Sequence, residues 1–300
     1  MTDPEGDQPG APTRRTPTAS ARVEGLGLFT GRRASVAIHP ASGGDGIVFR
    51  RLDLAGKPLV TAAISNVVSE QRRTVLQADP AQGGARVETV EHILSALAGL
   101  GITDALIEVD GPEIPIVDGS ALPFTQALSA VGTTVLSGVA PAPIRVDRPL
   151  TVGERGGQID VLPLDAGTPA GCEFVYRLDY GPASPVAAHE ARFFLPLAGG
   201  ATAYIQNVAP ARTFSTLAEA QAMRSMGLFT QFTPRDLLVI GPDGPIDNTL
   251  RFPWEPAMHK LLDMMGDLSL CGRPVVGRIV ATRSGHALNH ELARALAALP

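Results

Sequence analysis

The stretch His259-Lys-Leu-Leu-Asp263 sets an imidazole and a carboxylate four residues apart, in a segment whose apolar spacing predicts a helix over 256–270. Residues i and i+4 share a helix face, so both side chains can reach one divalent cation. A surface ion pair is the commoner use of that spacing. Here the surrounding helix is apolar, and Asp267 adds a second carboxylate one turn beyond Asp263. Glu91-His92 falls near the middle of 86–98, which reads as an amphipathic helix. Helix neighbours diverge by about 100° and cannot comfortably share one ion. They can share a cavity, one touching a metal and the other its water. The alternative is a solvated glutamate beside a partly buried histidine. His286 opens a helix after Gly285. It is either a helix cap or, with a carboxylate such as Asp267 on its other nitrogen, a group that donates a proton or stabilises negative charge. His39, His189 and His290 fall in loop or surface contexts and receive no role.

Other chemistries find little support. Gly25-Leu-Gly-Leu-Phe-Thr-Gly31 lacks the Gly-Lys-Ser/Thr ending of a phosphate loop and reads as strand and turn. There is no G-x-S-x-G elbow, and Cys172 and Cys271 are too few and too far apart for a disulfide framework or a thiolate zinc site. The 300 residues include 25 Lys+Arg against 30 Asp+Glu, a net charge of -5 without a basic block, which disfavours a nucleic-acid-binding module. With 44% hydrophobic and 18% charged residues the chain has material for a sizeable core. No apolar run reaches the roughly 18 residues of a transmembrane helix. The polar start after Met1 carries no signal-peptide pattern, and the expected setting is the cytoplasm.

Residues 1–20 read as a flexible tail, 21–140 as a first α+β domain and 141–300 as a second, with the Pro-rich stretch 138–144 as the joint. Strands are expected in 21–51, around 105–109, through 145–208 and over 275–283. Helices are expected over 86–98, 122–132, 213–224, 256–270 and from 286. The halves echo one another: with His92 placed on His259, Gly99 falls on Gly266, and Gly119-Ser-Ala-Leu122 lies opposite Gly285-His-Ala-Leu288. Such an offset is the mark of a duplicated unit, and it makes a site between two similar domains natural.

Several segments, taken in order, resemble the bacterial UDP-3-O-acyl-N-acetylglucosamine deacetylases: VEHILSALAGLGITDALIEVDGPEIPIVDGSALPF (90–124), ARTF (211–214), HKLLDMMGDL (259–268) and SGHALN (284–289). The resemblance runs from about Arg22 to the C-terminus. It implies an α+β fold of two similar domains, each a β-sheet layered against two helices, with the active site at the domain junction. It also implies hydrolysis of the acetamide of UDP-3-O-(3-hydroxyacyl)-N-acetylglucosamine with release of acetate, the committed step of lipid A biosynthesis; a monomer is expected. On this chain His92, His259 and Asp263 match the zinc ligands, a set of three that leaves a position for water. Glu91 matches the base that takes the water's proton, and Thr213 the residue that helps hold the carbonyl oxygen as it gains charge. His286, oriented by Asp267, matches the group that stabilises that charge or protonates the leaving amine. Phe214, Lys260, Arg283 and Tyr180 match substrate-contacting positions, Arg283 standing where the family often has Lys.

The chain also departs from the family pattern. Phe29 stands where GLGLFTG would usually carry His, Met258 replaces a frequent Arg, Ser215 replaces Gly, and 229–237 lacks the usual Gly-Gly-Ser-Leu-Asp run. These changes spare the ligands and the base and bear on the passage for the acyl chain. Two other readings stand beside the deacetylase: a zinc amidohydrolase acting on a different acylated sugar, and a non-catalytic UDP-sugar-binding homologue.

Overall fold

A computed structural model describes residues 13–154 and 156–300. Among the described residues the architecture is mixed α+β, with six α-helices and two principal sheets that share one strand order. The first sheet runs Ala21–Leu26, Arg33–His39, Ala105–Val109, Ile47–Arg51, Leu59–Thr61. Its middle strand is antiparallel to Arg33–His39 and parallel to Ile47–Arg51. The second runs Leu150–Glu154, Gly157–Leu162, Val275–Thr282, Gly171–Leu178, His189–Pro196. There too the middle strand is antiparallel to the one before it and parallel to the one after. In each half a histidine-bearing helix precedes the middle strand and another helix follows it. Helices α1 (Glu91–Gly99) and α2 (Leu122–Val131) flank Ala105–Val109. Short helices α3 (Ala201–Asn207) and α4 (Leu217–Ser225) come next, then α5 (Glu255–Ser269) and α6 (His286–Ala297) flank Val275–Thr282.

The burial pattern explains why α1 and α5 sit at the centre. All of α1 but Ala98, and all of α5 but Lys260 and Ser269, is buried. Helices buried on every side have neighbours all round, and their buried polar side chains must find partners there. Helices α1 and α5 pack most extensively on each other; α5 also meets α6 and the strands Gly171–Leu178 and His189–Pro196. Helix α2 covers the first sheet through Ala21–Leu26. One continuous apolar core, including Phe49, Leu94, Phe124, Leu262 and Leu292, runs through both halves.

Some local expectations need correction. The first twelve residues of the tail expected over 1–20 lie outside the described residues. Beyond them Arg15–Pro17 is a strand, paired antiparallel with Thr133–Val135. The helix expected over 86–98 begins only at Glu91, because Arg86–Glu88 pairs with Val75–Gln77 in a small sheet. Between them Thr89 turns the chain with φ 60°. Glu91 therefore starts its helix rather than sitting in its middle. Ala201–Asn207 is helical within the expected strand region 145–208. Phe214–Thr216 is a strand, and helix α4 starts after it with a capping box between Thr216 and Glu219. The joint expected at 138–144 lies in irregular chain between Val135 and Ile144.

Candidate metal centre

Helix α5 presents His259, Asp263 and Asp267 at successive i+4 positions, and α1 brings His92 across to them. The ligand atoms of His92, His259 and Asp263 all lie within 4.8 Å of one another, and all three residues are buried. Asp263 Oδ1 stands 3.3 Å from His259 Nε2 and 3.6 Å from His92 Nε2. The two imidazoles are nearly perpendicular, at 87°, with centroids 5.1 Å apart.

The protonation pattern tests whether a cation fits. Burial pushes the His259 imidazole down to about 3, so the ring is neutral. Its Nδ1 donates to the Ala211 carbonyl at 3.1 Å, which leaves Nε2 a bare lone pair. That lone pair faces Asp263 Oδ1, a buried oxygen with no hydrogen-bond partner. Burial works against the Asp263 charge, yet the carboxyl is held well below its usual range; with His259 neutral, the Lys260 ammonium is the adjacent charge that holds it there. Lys260 Nζ donates to the other oxygen, Oδ2, at 3.0 Å. Two acceptors face to face repel unless a cation lies between them. Ligand atoms about 2.0–2.1 Å from one tetrahedral ion stand about 3.3 Å apart, close to the spacings found. The donor set fits a divalent metal.

The centre opens on a cavity of about 30 Å³, lined by Glu91, His92, Thr213, His259, Lys260, Asp263 and His286 among others. That is room for about one water. Burial raises the Glu91 carboxyl above the ordinary range, and His286 and His92 pull the other way. Its Oε2 accepts the Thr74 N–H at 3.0 Å. Across the cavity, His286 Nδ1 donates to Asp267 Oδ2 at 2.8 Å. Burial opposes the charge on His286, but Asp267 outweighs it and lifts the imidazole up to about 9. Burial alone would raise Asp267; His286, through charge and hydrogen bond, holds it below its usual value. The site thus pairs a reluctant carboxylate with a willing imidazolium.

The ARTF segment reaches the centre through a buried anchor. Arg212 grips Glu255 with Nε at 2.7 Å and Nη2 at 3.0 Å, and its Nη1 donates to Asn248 Oδ1 at 2.9 Å. The pair ties the segment to the first turn of α5, setting the Ala211 carbonyl against His259 and Thr213 against the cavity. The ring of Phe214 meets His259 edge-on at 6.4 Å and Tyr180 at 6.2 Å. Tyr180 is 52% exposed. Arg283 is ion-paired with Asp179. Phe214, Tyr180 and Arg283 are not among the residues lining the cavity, whereas Lys260 is.

Among the family departures, Phe29 lines the cavity. Its ring meets Phe229 edge-on at 5.3 Å, and the Arg73 guanidinium lies 3.9 Å from its centroid. Phe229 holds φ 59°, an uncommon conformation for an aromatic residue. Sequence reasoning missed Thr74, Asn289 and Arg212. His290, expected in a loop or surface context, is instead buried, 5% exposed, with Nε2 2.9 Å from the Thr74 hydroxyl. The i+4 spacing of His290 from His286 on α6 was the available signal.

This framework and centre define a class: a mixed α+β protein whose buried histidines and aspartate can hold a divalent metal beside a carboxylate of raised proton affinity. The family model for LpxC, UDP-3-O-acyl N-acetylglycosamine deacetylase, matches residues 14–298, and the chain belongs to that family. It is 38% identical over 281 residues to the UDP-3-O-acyl-N-acetylglucosamine deacetylase of Citrifermentans bemidjiense, covering 93% of this chain and 87% of that one. To the protein of the same name from Thermosynechococcus vestitus it is 37% identical over 289 residues, with 96% and 95% covered. To that of Anaeromyxobacter dehalogenans it is 38% identical over 296 residues, with 96% and 88% covered.

Proposed function

We propose that this chain is a zinc-dependent deacetylase that hydrolyses the acetamide of UDP-3-O-(3-hydroxyacyl)-N-acetylglucosamine and releases acetate, in lipid A biosynthesis. Family membership supports the reaction. The observation that carries the mechanism is the orphaned Asp263 Oδ1 facing the bare Nε2 of His259. His92, His259 and Asp263 would hold the zinc. When bound, the ion supplies Lewis acidity toward the carbonyl and lowers the pKa of water.

The chain's own residues do the rest. Glu91 lines the cavity with its carboxyl fixed by the Thr74 N–H, and acts as the base that takes a proton from the attacking water. Oxygen adds to the acetamide carbonyl; Thr213, facing the cavity, helps hold the carbonyl oxygen as it gains charge. His286 remains protonated near neutral pH because Asp267 holds its Nδ1 proton. Its Nε2 side therefore stabilises the developing charge or hands a proton to the departing amine as the C–N bond breaks. Phe214 and Lys260 border the substrate near the centre, with Arg283 and Tyr180 further out toward the nucleotide. Cys172 and Cys271 are free thiols, which suits a reducing cytoplasmic setting; among the described residues no helix is long and apolar enough to cross a membrane.

The test is acetate release from UDP-3-O-acyl-GlcNAc substrates of several acyl lengths, with metal content measured alongside. Turnover that tracks bound zinc supports the reading. No acetate from any of them, with zinc bound, argues for an amidohydrolase acting on a different acylated sugar.

A further inference from the structure

We propose that Thr74 is a positioning residue for the deacetylation, one residue that fixes both proton-handling groups, Glu91 on one side of the cavity and the Asp267–His286 pair on the other. The inference rests on the roles given above to Glu91, Asp267 and His286.

Thr74 is fully buried and precedes the strand Val75–Gln77. Its backbone serves the start of α1: the N–H donates to Glu91 Oε2 at 3.0 Å, and the carbonyl accepts from Val90 N at 3.3 Å. Its side chain serves α5 and α6. The hydroxyl donates its one proton to Asp267 Oδ1. With that proton spent, the 2.9 Å approach of His290 Nε2 to Oγ1 makes His290 the donor. Asp267 Oδ2 accepts from His286 Nδ1 at 2.8 Å and Asn289 Nδ2 at 2.9 Å. The carboxylate is thus held on both oxygens, and its orientation sets the direction of the His286 ring. Without the Thr74 hydroxyl, Asp267 Oδ1 keeps only His290 Nε2, 3.4 Å away. The carboxylate could then rotate and carry His286 with it. Partners that orient a reacting group in this way typically change activity by about 10–100-fold when removed.

The experiment uses the full-length zinc-loaded enzyme and reads kcat, KM, zinc content and thermal midpoint. Thr74→Val is nearly isosteric, keeps the backbone contacts and removes the hydroxyl. We expect kcat to fall about 10–100-fold with KM and zinc content unchanged. Thr74→Ser, which keeps the hydroxyl, should recover most of the loss. In the Asp267→Asn background, Thr74→Val should cost little further, because its effect passes mainly through that carboxylate; the hydroxyl's own approach to His286 Nδ1 is longer, at 3.3 Å against 2.8 Å for Asp267. Should Thr74→Val fold poorly, Thr74→Ala gives the same readout. Wild-type kcat in Thr74→Val beside an impaired Asp267→Asn would overturn the role of Thr74 alone, as would an equal loss in both backgrounds. An unimpaired Asp267→Asn would overturn the reading of the Asp267–His286 pair, and the part assigned to Thr74 with it.

Discussion

Gly266 of α5 lies against the main-chain carbonyl of Glu91, the first residue of α1, with no room for a Cβ between them. The two helices cross at that point. Their closeness lets His92 of one half meet His259 and Asp263 of the other. The glycine sets the spacing of the centre as well as of the fold.

Gly266→Ala should therefore push Glu91 away. Helix propensity by itself favours alanine by about 1 kcal/mol. The collision is with backbone, which cannot rotate away, so overpacking should win with a cost of about 1–3 kcal/mol. We expect a thermal midpoint lower by several degrees and a reduced kcat. A more stable, fully active variant would contradict the close crossing.

Glu91→Gln keeps the shape of the side chain and an oxygen to accept the Thr74 N–H, but removes the proposed base. Turnover should fall by about 10²–10⁴-fold with zinc content unchanged. Steady-state kinetics beside metal analysis checks both. Unaltered turnover would remove Glu91 from the chemistry.

The His286–Asp267 pair predicts a pH dependence with a definite sign. His286 is raised from 6.5 to about 9, so the stability it contributes is full below pH 6.5 and lost as pH rises through 9. Asp267 is lowered from 3.8, so its contribution is present above pH 3.8 and lost as pH falls through its folded value. A divalent cation at the proposed site would pull the imidazole down, so the alkaline limb of kcat/KM should fall at or below pH 9. Asp267→Asn removes the charge that lifts His286 and should shift that limb to lower pH. A profile with the limb unmoved would separate the two residues.

Glu255→Ala leaves the Arg212 guanidinium, 8% exposed, without its bidentate partner. Breaking a buried pair in this way costs about 3–5 kcal/mol. The Ala211 carbonyl that orients His259 would loosen too, so zinc affinity should fall with stability. Urea unfolding and zinc titration of the same variant test the two together. A wild-type unfolding midpoint would show the anchor to be idle.

Much of this was legible in the sequence where the signal is local. The apolar run around His259 and Asp263 on α5 and the Gly285-His286 helix start stand in the structure within a residue or two of expectation. The echo of His92 and Gly99 with His259 and Gly266 has a counterpart in the matching strand orders of the two sheets. What escaped depends on contacts between distant segments. Nothing in Arg-Arg-Thr-Val-Leu marks Thr74, since its hydroxyl partner Asp267 lies 193 residues away. Arg212 and Glu255 are 43 residues apart and each reads alone as a surface charge. Helix α1 starts five residues later than the spacing of 86–98 predicts, because Arg86–Glu88 satisfies a helical spacing while strand pairing with Val75–Gln77 decides its conformation. His290 reads as a loop or surface residue because no local pattern marks a buried partner. Its ring is instead covered by the Thr74 segment from the other half.

The most direct test of the account is zinc removal and return. The chelated protein should release no acetate from UDP-3-O-acyl-GlcNAc and should regain the full rate as zinc is added back, saturating at one ion per chain. Full turnover by protein shown to carry no metal would contradict the centre built from His92, His259 and Asp263.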